Sequence, residues 1–212
     1  LFLPLAHSFA LLIQFAVLEL GSTIAYWSRD PKLIIDDVAA VKPSYLPSVP
    51  RIFEKIYTKA SAAEGAKKKI LDWSIATGRK YREAERDGRN PGFLLERQYA
   101  IADKLALGKI RALFGGNVRL CVTGAAPISQ EILEFFWAAG VLILEGYGMT
   151  ETSTAASINR PDNYRFGTVG LPFPGVEVRI ADDGEICIKG PNIFQGYYKN
   201  PEATAETLID GW

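Results

Sequence analysis

The sequence predicts an α/β fold that turns β-rich toward its C-terminal end, and three observations carry that prediction. An apolar run at residues 118–122, an amphipathic stretch at 129–139 and a second apolar run at 141–144 read as strand, helix and strand, spaced for a parallel pair with a crossover helix. Long helical patterns precede this unit, whereas beyond residue 168 the chain alternates in strand fashion around the turn Asp183-Gly184. Finally, 212 residues that are 48% apolar and 23% charged have the balance and the length of a globular chain able to bury a core.

The elements follow in order. Residues 2–5 are a short apolar run closed by His7 and Ser8, a strand handing over to the apolar stretch 9–20. Gln14 and Glu19 interrupt that stretch, and it falls short of the roughly twenty apolar residues of a membrane span, so it reads as a buried core helix stopped by Gly21. It lacks the basic flank and cleavage site of a signal peptide. Residues 23–27 are β-branched and aromatic, hence a strand, and Asp30-Pro31 gives a cap and a first helical position for a helix to about Val41. Pro43, Pro47 and Pro50 divide the next segment into extended pieces, and helix resumes at Arg51.

Between residues 64 and 88 charges alternate around a narrow apolar stripe of Ile70, Trp73, Thr77, Tyr81 and Ala84, which predicts a surface helix with Lys67, Lys68 and Lys69 on its solvated face. Asn90-Pro91 starts another helical segment that packs Leu94, Leu95, Ile101, Leu105 and Leu113 and closes at Gly115-Gly116. Residues 176–180 and 185–189 form a hairpin, and Asn200-Pro201 opens a last short helix.

Charge and cysteine content exclude several function classes. With 24 Lys+Arg against 24 Asp+Glu the net charge is zero, so no long-range field favours nucleic acid. Cys121 and Cys187 are too few for a disulfide scaffold and sit in apolar runs, which suits a reducing cytoplasm. A neutral charge is compatible with peripheral contact at the inner face of a membrane. Met149 is the sole methionine, so the chain reads as a piece of something longer.

Two strand ends carry the chemistry-bearing residues. Gly124-Ala125-Ala126-Pro127 leaves the strand near 118–122 through residues with almost no side chain: either a tight strand-to-helix turn or a place where a flat ligand lies on the main chain. Glu145-Gly146-Tyr147-Gly148-Met149-Thr150-Glu151-Thr152 sets an aromatic ring between two glycines and follows it with hydroxyl, carboxylate and hydroxyl. It reads either as a glycine loop with a capped helix behind it or as a bend for a nucleotide, with threonine hydroxyls for a phosphate and a carboxylate for a magnesium ion. His7 is the one histidine, a structural group or a partner for a carboxylate or phosphate. There is no Walker loop, zinc spacing or nucleophile elbow. The residues by themselves reach a nucleotide-sized site in an α/β domain.

Residues 145–152 resemble the signature of the AMP-forming acyl-activating superfamily. Gly124 to Pro127 is similar to its adenine-side turn, and Gly184-Glu185-Ile186, Gly190-Pro191, Gly196-Tyr197-Tyr198 and Asn200-Pro201-Glu202-Ala203-Thr204 resemble its later block. Leu3-Pro4-Leu5-Ala6-His7, the run Val49-Pro50-Arg51-Ile52-Phe53-Glu54-Lys55-Ile56-Tyr57 and the helical insertion are similar to bacterial long-chain fatty acid–CoA ligases.

The resemblance implies residues 1–170 as part of the large N-terminal adenylate-forming domain, layered α/β/α, with a helical insertion at about 51–114, and residues 171–212 as its β-rich subdomain. It implies a long-chain fatty acid, ATP and coenzyme A as substrates, Mg²⁺ as cofactor, and an acyl-adenylate that coenzyme A then cleaves. Gly124, Ala125, Ala126 and Pro127 would line the adenine with Tyr147, while Glu145, Gly146, Gly148 and Met149 complete the nucleotide loop. Thr150 would bond the α-phosphate, Glu151 would hold Mg²⁺, and His7 would stand near the reacting carboxylate. The superfamily's upstream Ser/Thr/Gly-rich phosphate loop, its ribose-binding aspartate and its C-terminal lysine domain are not in these 212 residues, so the chain alone is expected to have little or no ligase activity. Other carboxylate-adenylating ligases share the nucleotide motifs, and a non-catalytic nucleotide or fatty-acid binding module is the reading from another class.

Overall fold

The computed structural model describes all 212 residues. Its elements are α1 (Ser8–Glu19), α2 (Ile34–Val41), β1 (Tyr45–Ser48), α3 (Pro50–Ser61), α4 (Gly65–Arg86), α5 (Phe93–Ala102), α6 (Gly108–Ala112), β2 (Leu120–Thr123), α7 (Gln130–Ala138), β3 (Ile143–Tyr147), β4 (Ser157–Ile158), β5 (Leu171–Pro172), β6 (Glu177–Ile180), β7 (Ile186–Lys189) and α8 (Pro201–Thr207). A π-helical turn, Asp103–Leu107, joins α5 to α6, and a 3-10 turn, Thr150–Thr152, follows β3. The chain divides into one unit of Leu1–Phe2 with Ile24–Leu144 and another of Leu3–Thr23 with Glu145–Trp212, so β3 begins in the first and ends in the second. No helix is long and apolar enough to cross a membrane.

In the first unit, β1 and β2 pair in parallel from Tyr45 opposite Leu120 to Ser48 opposite Thr123, and the Cys121 N–H donates to the Leu142 carbonyl. β1 lies in the proline-rich stretch that the sequence reads only as extended pieces. Pro47 is tolerated there because β1 is paired on one side only. The core gathers Phe53 and Ile56 of α3, Leu107, Phe114, Leu133, Phe136 of α7 and Val141, each 1% exposed or less. Phe136 meets Phe114 edge-on at 5.1 Å, and Phe114 stacks on Phe53 at 6.4 Å. Both cysteines are free, and burial pushes the Cys121 thiol far up.

α4 buries Leu71, Ser74, Thr77, Gly78 and Ala84, so the stripe holds at Thr77 and Ala84 but Ile70 and Trp73 are exposed. Backbone proximity selects the face: a Cβ on Gly78 would stand 2.3 Å from the Ala138 carbonyl oxygen of α7, and Arg79 pairs with Glu134 of α7 at 3.2 Å. Small residues let two helices come this close, which a count of apolar side chains does not register. On the α5 side, Tyr81 stacks on Tyr99 at 4.0 Å. Over residues 93–114 the buried set is Ala102, Ala106, Leu107, Ile110 and Phe114, while Leu94, Ile101 and Leu105 are exposed. The π-helical turn inserts an extra residue into the helical repeat and rotates the inward face away from the straight-helix prediction.

Two further expectations are corrected here. The helix expected from Pro31 starts at Ile34, because Asp30 accepts from the Lys32 and Leu33 amides and makes a separate turn. Residues 23–27 are not a strand: the Leu1 amine donates to the Ala25 carbonyl and the Trp27 amide to the Leu1 carbonyl, but no ladder forms.

The second unit carries α1, and only its Ala10 is buried; Leu11, Leu12, Phe15, Leu18 and Leu20 are 40–77% exposed. The expected core helix is therefore largely on the surface, since a helix apolar on every side says nothing about which side finds a neighbour. Residues 2–5 form no strand. β3 pairs antiparallel with β4, Gly146 opposite Ile158 and Tyr147 opposite Ser157, and β4 pairs with β5. β6 and β7 form the expected hairpin, with Val178 opposite Ile188. Ala156, Val176 and Ile188 make a small core against which Tyr147, Phe173 and Ile193 pack. α8 starts as the sequence reads, Pro201 at its first turn and the Asn200 side chain accepting from the Ala203 amide.

Truncating Phe136 removes a ring in edge contact with Tyr57, Phe114 and Phe135 and leaves a cavity. Phe136→Ala is expected to lower unfolding free energy by about 3–5 kcal/mol, read from the shift of the urea midpoint.

Candidate functional site

β3 delivers the signature residues. The sequence reading ends the strand at Leu144, but the ladder to β4 extends it through Glu145, Gly146 and Tyr147. The bend therefore begins at Gly148. A Cβ there would lie 1.9 Å from the Thr154 carbonyl oxygen, so glycine is required by space, the loop folding back onto its own start.

Thr152 closes the loop. It is fully buried; its Oγ1 accepts from the Met149 amide at 3.0 Å and donates to the Met149 carbonyl at 3.0 Å. The second threonine of the motif is thus consumed locally. Thr150 is exposed, and its hydroxyl has no partner within the chain. Glu151 is half-buried and forms no ion pair: its Oε1 accepts from the Tyr197 hydroxyl at 2.8 Å and its main-chain carbonyl accepts from the Phe194 amide at 2.8 Å. Glu151 in turn holds the Tyr197 phenol above its ordinary pKa.

After the 3-10 turn, Ser153 and Thr154 have φ of 49° and 92°, left-handed values that residues other than glycine seldom adopt, the β-branched Thr154 least of all. Asn192 brackets this strained pair, its Nδ2 donating to the carbonyls of Thr152 at 3.2 Å and Ala155 at 2.9 Å.

Glu145 lies at the base of the loop, its carbonyl accepting from the Asn159 amide at 3.0 Å. Asn159 also donates to the Thr168 carbonyl and accepts from the Arg165 amide, tying the 159–168 connection to β3. Burial raises the Glu145 carboxyl pKa, partly offset by a bond from the Gly167 amide, and its Oε2 is buried without a partner. Tyr147 sends its side chain toward the small core of this unit. Met149 is 41% exposed. His7 is exposed and caps α1, its Nδ1 accepting from the Phe9 amide at 3.2 Å.

The Gly124–Pro127 turn lies in the first unit, leaving the C-terminal end of β2, with Ala125, Ala126 and Pro127 exposed. Ala125 has a φ of 68°, a left-handed conformation costing a non-glycine residue on the order of 1 kcal/mol. Just before it, Thr123 is buried and its hydroxyl has no partner.

No cluster of three or more His, Cys, Asp or Glu side chains is present. Glu151 stands on the loop with one carboxylate oxygen engaged by Tyr197 and no cation paired with the other, a donor of the kind that suits Mg²⁺, which commonly takes one or two carboxylates. Tyr197, Phe194 and Asn192 have no role in the sequence reading, which singles out Gly190-Pro191 and Gly196-Tyr197-Tyr198 but in which nothing local says which side chains reach residue 151.

The model of the AMP-binding enzyme family matches residues 1–198, and the chain belongs to that family. The long-chain-fatty-acid–CoA ligase FadD15 of Mycobacterium bovis is 42% identical over 214 residues, covering 100% of this chain and 35% of that protein. Long-chain-fatty-acid–CoA ligase 5 of Rattus norvegicus is 40% identical over 226 residues, covering 100% and 32%. The chain therefore spans about a third of the length of these relatives. Among solved structures, the N-terminal domain of FACL13 from Mycobacterium tuberculosis superposes with TM-score 0.64 at 18% identity over 100% of this chain and 45% of that one. The o-succinylbenzoate CoA synthetase MenE of Bacillus subtilis, solved with ATP and a magnesium ion, gives 0.64 at 17% over 100% and 36%. These two share the adenylate-forming fold.

Because the folded-state pKa of Glu145 lies above its ordinary value of 4.5, its ionisation destabilises the fold as pH rises through that interval. Glu145→Gln is expected to raise the melting temperature at pH 7–8, the gain disappearing below pH 4.5 where the native side chain is also neutral. Melts of both proteins across that range measure it.

Proposed function

We propose that this chain is part of an ATP-dependent, AMP-forming long-chain fatty acid–CoA ligase of the cytoplasm, with residues 1–170 and 171–212 as successive parts of its large domain. The observation that carries the reading is the 42% identity to a long-chain ligase along the whole of the 212 residues. In the proposed reaction the fatty carboxylate attacks the α-phosphate of ATP, pyrophosphate leaves, and the thiol of coenzyme A then displaces AMP from the acyl-adenylate.

The chain's own groups suit this chemistry. Carboxylate and triphosphate repel, so the first step needs positive charge and hydrogen-bond donors where negative charge accumulates. Thr150 offers a solvent-facing hydroxyl without a competing partner and would donate to a nonbridging α-phosphate oxygen. Glu151 would hold Mg²⁺ through its second oxygen, the ion supplying charge neutralisation. The bonds within and around the loop between Gly148 and Ala155 hold the backbone that carries both residues, so its reorganisation on substrate binding would be small. In the first unit, the turn of half-buried Gly124 and exposed Ala125 and Ala126 offers little side chain and suits a planar base. His7 uses Nδ1 to cap α1, which leaves Nε2 for the substrate carboxylate.

In the full-length protein, Glu151→Ala is expected to reduce acyl-adenylate formation at least about a hundredfold; an unchanged rate would remove the magnesium role. AMP release is expected to be faster with palmitate than with acetate, and the reverse preference would transfer the protein to another class of carboxylate-adenylating ligase.

A further inference from the structure

We propose that Tyr197 is a positioning residue for Glu151: its hydroxyl occupies Oε1 of that carboxylate and thereby aims Oε2 at the cation of a metal–nucleotide complex. The inference deepens the function proposed above and rests on its assignment of Glu151 to the metal.

Three observations lead to it. Glu151 has one side-chain partner, the Tyr197 hydroxyl at 2.8 Å. The residue is also gripped at its main chain, since the Phe194 amide donates to its carbonyl at 2.8 Å while Asn192 secures the carbonyls of Thr152 and Ala155. One short segment, residues 192–197, therefore sets both the backbone and the side chain of residue 151.

Tyr197 is itself held, as a positioning group must be. Its amide donates to the Thr204 Oγ1 at 2.9 Å, and that hydroxyl donates to the Asn200 carbonyl at 2.8 Å. Its ring stands edge-on to Phe194 at 4.9 Å.

A carboxylate free to rotate presents either oxygen, or both, to a cation. With Oε1 accepting from a fixed phenol, the charge stays on the residue and one oxygen remains for metal. An outer hydrogen bond of this kind commonly changes metal affinity by about 10–100-fold when removed. The phenol suits this position because it is neutral and donates one proton: a lysine or arginine would neutralise the carboxylate it orients.

The test uses the full-length protein and Tyr197→Phe, which keeps the ring against Phe194 and removes only the hydroxyl. Mn²⁺ binding in the presence of a non-hydrolysable ATP analogue, followed by electron paramagnetic resonance, is expected to weaken about tenfold or more, with no change in melting temperature. The Mg²⁺ concentration for half-maximal ATP–pyrophosphate exchange is expected to rise by the same factor, and the exchange rate to recover at saturating Mg²⁺.

Adding Tyr197→Phe to Glu151→Gln is expected to weaken Mn²⁺ binding no further, because the tyrosine acts through that carboxylate. If Tyr197→Phe binds Mn²⁺ as the parent does while Glu151→Gln loses it, the role of Tyr197 falls and that of Glu151 stands. If Tyr197→Phe weakens binding equally in both backgrounds, or lowers the melting temperature with the affinity, positioning through Glu151 is overturned. If Glu151→Gln leaves metal binding intact, the assignment of Glu151 falls and takes the positioning role with it.

Discussion

The side-chain amide of Asn192 donates to two carbonyls that flank a pair of left-handed residues, and the geometry of the candidate site depends on that clasp. Ser153 and Thr154 each hold a conformation costing on the order of 1 kcal/mol or more. A hydrogen bond contributes about the same net amount, so the two from Asn192 are of the size needed to offset the strain. Gly148 completes the constraint by admitting the Thr154 carbonyl where any Cβ would collide. A tight return of the chain therefore places Thr150 outward, Thr152 inward and Glu151 beside Tyr197. Three consecutive polar residues thus acquire three different surroundings: solvent for Thr150, a tyrosine hydroxyl for Glu151 and the loop's own backbone for Thr152.

The two units solve different packing problems. The first buries large rings around Phe136 and brings α4 against α7 through Gly78, where backbone contact replaces side-chain volume. The second has a small apolar core and short strands, and much of its order comes from side chains bonded to carbonyls, Asn159 and Asn192 above all. Asparagine suits such a clasp because one amide group donates twice, and Asn159 also accepts through its oxygen. An apolar residue at either position would leave those carbonyls unpaired, where a buried polar group without a partner is costly.

Much of the architecture was legible locally. The β6–β7 hairpin and the Asn200-Pro201 helix start follow from alternation, turn chemistry and capping, all decided within a few residues, and the two free cysteines from their small number and apolar surroundings. Errors fell where a distant partner decides. Residues 24–27 have strand composition but find no ladder, Pro47 lies in a strand because β2 runs beside it, and Glu145 to Tyr147 extend β3 because β4 pairs with them. The inward face beyond Phe93 turned with an unforeseen π-helical residue, and α1 is apolar on sides that the structure leaves exposed.

The sequence by itself determined the family and the composition of the loop, because a motif of glycines, hydroxyls and one carboxylate is a local pattern that needs no fold to be read. Which of those groups face outward, and what holds them, was decided only by the tertiary structure. Thr150 and Thr152 are chemically alike, and only the returning chain makes one a buried fastener and the other a free donor. Tyr197 stands forty-six positions from Glu151, and a bond across that separation exists only once the 192–197 segment and the loop have packed together.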